Sequence, residues 1–197
     1  MNILGSSTIS GQWLSSEEEK EIEELVKKSK PNANPKFSLI KIEEHAGWIY
    51  IRANINDSKF SINHSACVSD TSILIKFFKE IIKLKEEIVL MIDYEGSDPI
   101  LYSAPVDENK VRFLFAHDYD LFLNDDIDDY KITDYKIECD IIIDKKELIK
   151  NFYDILYPFT INYNVKEARK GHYDDVFNIE NGKKYLNEIK TYLKKET

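Results

Sequence analysis

Residues 48–85 read WIYIRANINDSKFSINHSACVSDTSILIKFFKEIIKLK, and partway along the hydrophobic period changes from two to about 3.6. In the first part Ile49, Ile51, Ala53 and Ile55 share one face, while Trp48, Tyr50, Arg52 and Asn54 share the other. That alternation predicts a strand half-buried on a core. Asn56-Asp57-Ser58 is a turn sequence, and Lys59–Ala66 alternates again as the returning strand. After Ser69-Asp70-Thr71 the spacing becomes helical. Ile73, Leu74, Phe77, Phe78, Ile81 and Ile82 form a wide apolar stripe that predicts a helix to about Lys85. A stripe this wide needs a sheet to lie on. A hairpin followed directly by a helix that packs back is the nucleus of an α+β fold.

Outward from this nucleus the elements thin. Upstream, Phe37–Ile42 alternates, and KSKPNANP with Pro31 and Pro35 reads as a linker. Ser16 with Glu19 three residues later fits a capping box opening a helix over about 16–29. Residues 1–14 read as a loose arm. Downstream, Ile88–Tyr94, Ile100–Ala104, Lys110–His117 and Tyr135–Ile143 read as strands. Asp144 with Glu147 opens a helix carrying Leu148, Phe152, Ile155 and Leu156, which Pro158 is expected to end. Residues 159–179 are irregular, and Asn181–Lys195 is a last amphipathic helix. The expected fold class is α+β, a mainly antiparallel β-sheet packed against a central amphipathic helix, with peripheral N- and C-terminal helices. Residues 1–35 form an arm and helix, 36–158 the core and 159–197 an extension, in one domain overall.

Bulk composition excludes several classes. The six glycines, at 5, 11, 47, 96, 171 and 182, lie too far apart for a phosphate-cradling loop, so nucleotide-binding fingerprints are absent. The longest apolar runs span four or five residues, far short of a membrane helix. Basic charge is nearly all Lys, with Arg only at 52, 112 and 169, and the net charge is −9. Nucleic-acid binding through phosphates is therefore disfavoured. Cys67 and Cys139 stand alone in strand-like runs, which with no signal peptide favours a reducing cytoplasm.

Nearly all of that net charge sits in one segment. Residues 118–144, DYDLFLNDDIDDYKITDYKIECDIIID, hold nine Asp and one Glu against Lys131 and Lys136, a local balance of −8. Tyr119, Leu121, Phe122, Leu123, Tyr130 and Tyr135 are interleaved with the carboxylates, unlike a disordered solvating tail. An acidic surface with aromatic anchors suits a basic protein partner, and self-repulsion at this density is relieved by a cationic one. Asp118, Asp120, Asp125, Asp126, Asp128 and Asp129 would steer the partner; Tyr119, Phe122 and Tyr130 would anchor it, with Asp134 at the far end. A solvated surface loop is the competing reading. The acids of Tyr135–Ile143 are expected on the strand's exposed face.

No arrangement of residues carries recognisable catalysis. His64 points away from Ser65 and Cys67 along its strand, and neither a GxSxG elbow nor a catalytic-Cys signature is present. His117-Asp118-Tyr119-Asp120 and His172-Tyr173-Asp174-Asp175 pair a histidine with two carboxylates. Neither a calcium loop nor HEXXH fits, however, so no metal and no cofactor is expected.

The order of elements in about residues 46–157 resembles the immunity proteins of bacterial toxin–immunity systems, including those of contact-dependent inhibition. The stretches that carry the likeness are AGWIYIRANIN, KFSINHSAC, VSDTSILIKFFKEIIKL, IVLMIDYEG, ILYSAPV, KVRFLFAHDYD and YKIECDIIIDKKELIKNFYDIL. The resemblance implies a small, acidic, cytoplasmic, non-enzymatic protein that neutralises one cognate basic toxin, with no nucleic-acid or membrane partner. Two alternatives are an inhibitor from a phage or mobile element that mimics nucleic-acid charge, and an enzyme of unrecognised type.

Overall fold

The computed structural model describes residues 2–6, 15–45, 48–65, 71–92, 99–117, 134–163 and 178–195. Within them the chain is α+β. In order come β1 (Asn2–Ser6), α1 (Ser16–Lys28), β2 (Phe37–His45), β3 (Trp48–Ile55), β4 (Ser58–Ser65) and α2 (Thr71–Ile81). Then follow β5 (Ile88–Met91), β6 (Ile100–Pro105), β7 (Lys110–His117), β8 (Lys136–Asp144), α3 (Lys145–Asn162) and α4 (Ile179–Lys194).

The strands form two sheets. One has the order β2-β3-β4 and is antiparallel throughout. The other has the order β1-β5-β6-β7-β8, antiparallel except for β1, which pairs parallel with β5. The expected loose arm thus supplies an edge strand. Its partner lies far along the chain, so no local pattern marks it.

The main core joins both sheets to the helices. Ile49, Ile51, Ala53, Phe60 and Ile62 of the small sheet meet Leu74, Ile75, Phe77, Phe78 and Ile81 of α2. Leu101, Phe113, Phe115 and Ile141 of the large sheet, Phe152 of α3 and Leu186 of α4 belong to the same cluster. Aromatic rings lock its centre, with Phe78 and Phe152 stacked at 3.6 Å between centroids. The opposite face of the large sheet buries Val89, Ile100, Tyr102, Leu114 and Ala116 under Ile22, Leu25 and Val26 of α1. Because this sheet is covered on both faces, β5 is apolar at every position rather than alternating.

Local chemistry sets the element ends. The capping box of α1 lies one residue earlier than expected. Ser15 Oγ accepts from the Glu18 N–H at 3.2 Å, and the Glu18 carboxylate accepts from the Ser15 N–H at 2.5 Å. α2 stops at Ile81, and Ile82, Lys83 and Leu84 donate to the carbonyls three residues back in a tightened last turn. Asn56 takes a φ of 52°, which a two-residue hairpin turn requires, so Ser58 already belongs to β4. The Asp144 side chain accepts from the Glu147 N–H at 2.9 Å and opens α3. Pro158 does not end that helix, which continues to Asn162. Thr160, two residues beyond the proline, is buried, so tertiary packing outweighs the lost backbone bond.

Candidate functional site

The acidic segment leaves and re-enters the large sheet at one place. β7 ends at His117, β8 begins at Lys136, and these two residues are cross-strand partners. Asp118, Tyr119, Asp120, Phe122, Asp125, Asp126, Asp128, Asp129 and Tyr130 lie outside the described residues. Asp134 is described and exposed, next to the buried Tyr135. Both ends of the segment are therefore held by well-packed chain.

A register shift shapes this root. Phe115 pairs with Cys139 but Ala116 pairs with Ile137, so Glu138 has no cross-strand partner. Such a bulge re-aims a side chain. Here the Glu138 carboxylate lies 2.7 Å from Lys136 Nζ and 3.9 Å from His117 Nε2. The His117 imidazole is buried and tilted over the Phe115 ring at 5.2 Å, and Phe115 stacks on Phe60 of β4 at 5.9 Å. The trio His117–Glu138–Lys136 ties the first residue of β8 to the last of β7.

A second polar cluster went unread in the sequence. Arg112 donates through Nε to Asp140 Oδ1 at 2.9 Å and through Nη2 to Oδ2 at 2.9 Å, a bidentate fork. The same Nη2 reaches the Val26 carbonyl at 2.9 Å and Ser29 Oγ at 2.5 Å, and Ser29 Oγ donates to Asp140 Oδ2 at 2.6 Å. This pins the C-terminal end of α1, where carbonyls lack helix partners, to the large sheet. The hydrogen bond to Asp140 holds the Arg112 pKa above its usual value. Arg112 opposes Ile142, so Asp140 lies two residues off register on the same face, the diagonal spacing at which long side chains meet across strands. That spacing is visible only once the register is known.

These contacts correct the expectation that the acids of β8 face solvent. Glu138 and Asp140 are 12% and 6% exposed at their side chains and are held by Lys136 and Arg112. Asp144 caps α3. Asp140 is covered by Arg112 and by Ser29 at the end of α1, while the linker closes the strand's outer edge: Asn32 N–H donates to the Asp140 carbonyl and Ile142 N–H to the Asn32 carbonyl. Of the segment's other acids, Asp134 is exposed and the remaining six lie outside the described residues.

For chemistry, the described residues offer little. Cys139 is buried, and burial pushes its thiol pKa well up, so it is no thiolate nucleophile. Among the described residues no three His, Cys, Asp or Glu side chains are grouped to hold a metal ion, and no helix is long and apolar enough to cross a membrane. The side chains of His45, His64 and Ser65, and residues Cys67 and His172–Asp175, lie outside what is described. Compared with protein-family models, curated proteins and solved structures, the chain matches none.

Proposed function

We propose that this chain is a non-enzymatic inhibitor, an immunity protein that binds a cognate basic toxin domain through residues 118–134. The observation that carries the reading is the charge distribution. The segment 118–144 holds −8 of a net −9, and its members at 138, 140 and 144 have internal partners. The surplus thus concentrates on Asp118, Asp120, Asp125, Asp126, Asp128, Asp129 and Asp134. Tyr119, Phe122 and Tyr130 serve as anchors, because aromatics carry most interface energy while charges govern encounter. A toxin that acts on nucleic acid is the natural basic partner. The scaffold in this reading is an antiparallel frame on α2, with the terminal helices at its periphery and its place in the cytoplasm. Burial of His117 and Tyr135 at the two ends of the segment favours it, since a preorganised root lowers the ordering cost of binding.

The test uses this protein as bait in lysate of its source organism at low salt, beside a variant with Asp125, Asp126, Asp128 and Asp129 changed to Asn. A basic protein should be held by the parent and released by the variant, and its activity should be inhibited by the parent in a purified assay. Equal capture and inhibition by both would move the site off the acidic segment.

A further inference from the structure

β4 ends the small sheet, and among the described residues no strand lies beyond it. An outer strand presents unpaired N–H and C=O groups, which proteins blunt with bulges, prolines, inward charges or a covering segment. Two other edges of this fold carry such devices. β8 is bridged by Asn32, and β2 breaks register between Leu39 and Lys41, leaving Ile40 out of the pairing. β4 has neither. Its eight residues pair with β3 without a shift and include no proline. Its inward side chains Phe60 and Ile62 are buried and apolar, and its one formal charge is the exposed Lys59.

The direction of its free backbone groups follows from the turn. Ile55 opposes Ser58 across the two-residue connection. In such a hairpin the pair beside the turn exchanges backbone bonds, and bonded pairs then alternate. Ser58, Phe60 and Ile62 therefore bond β3, while Lys59, Ser61 and Asn63 turn their N–H and C=O outward.

The geometry points to β4 as a self-association edge, where two copies pair antiparallel about a two-fold axis at Ser61 and merge two three-stranded sheets into one of six. The register is self-complementary. Phe60 of each copy meets Ile62 of the other on the inner face, Lys59 meets the neutral Asn63 on the outer face, and Ser61 meets Ser61. No charge on β4 faces its own copy, and the contact is isologous, so it closes at the dimer. This inference is independent of the acidic site, and salt separates the two. Each copy carries −9, so screening should strengthen self-association while it weakens capture of a basic partner.

Sedimentation equilibrium at about 0.05 and about 0.5 M salt tests the dimer. A monomer–dimer equilibrium that tightens with salt is expected. Ser61→Pro removes an N–H that β3 does not use, at an edge position where proline is tolerated; it should keep its circular dichroism and lose the dimer. Asn63→Lys sets two like-charge pairs across each dimer and should raise the dissociation constant about tenfold. Ser61→Cys in a Cys67→Ser background should form a disulfide-linked dimer, since a bonded antiparallel pair sits about 5.5 Å apart at Cα. Monomer under all conditions with no cross-link overturns the proposal. So does a dimer untouched by Asn63→Lys, which decides alone if Ser61→Pro does not fold.

Discussion

Asp140 shows how one residue's meaning depends on its surroundings. In the chain it is one of ten acids in a highly charged segment; in the fold its side chain is 6% exposed and is held by Arg112 and Ser29. Removing one partner of a buried pair is costly because the other charge stays behind without water. Arg112→Ala should destabilise the protein by about 3 kcal/mol, measured by urea unfolding at neutral pH. Arg112→Lys should fall between, because an ammonium cannot reproduce the fork that reaches both carboxylate oxygens and the Val26 carbonyl. A loss under about 1 kcal/mol for the alanine variant would mean that the pair contributes no more than a surface ion pair.

Among the elements, α3 shows packing overriding a local signal. Phe152 stacks on Phe78 and lies 6.2 Å from Phe37 and 5.9 Å from Phe113, so one residue touches α2 and both sheets. Phe152→Ala should cost about 3–5 kcal/mol, read from the same unfolding curves. A cost near 1 kcal/mol would show that neighbouring side chains collapse into the space. The turn between β6 and β7 gives a pH signature. Asp107 accepts from the N–H groups of Asn109 and Lys110, each at 2.8 Å, and these bonds lower its pKa. A carboxylate lowered in the folded state adds stability above its unfolded pKa of about 4 and loses it as pH falls through the folded value. Asp107→Asn should therefore flatten the decline in stability below about pH 4. Identical acid slopes for the two proteins would show that the turn's charge is not felt. Among signals visible in the chain, the α2 stripe and the Asp144 cap were legible because both are local. The α1 cap was misread by one residue because Ser15, Ser16 and three successive Glu make two registers equivalent until a bond forms.

Taken whole, the chain is nearly neutral outside residues 118–144, the stretch that runs from the end of β7 to the start of α3. If the two proposals hold, that separation predicts salt dependences of opposite sign, capture of a basic partner by the acidic segment weakening with salt and pairing at the β4 edge strengthening. The α+β class, the β3–β4 hairpin and the α2 helix follow from periodicity alone, since a period of two or about 3.6 needs no partner to be read. The concentration of acid in residues 118–144 and the absence of nucleotide motifs are likewise properties of the chain by itself. Tertiary structure alone decided that β1 joins β5, that the strands divide into two sheets, and that Asn32 covers β8. It also decided which acids are committed, turning Glu138 and Asp140 from surface charge into structure. Those outcomes rest on pairings between distant segments and on a one-residue bulge, and the energy of such contacts is set by which backbone edge and which side chain arrive opposite, a relation no local stretch contains.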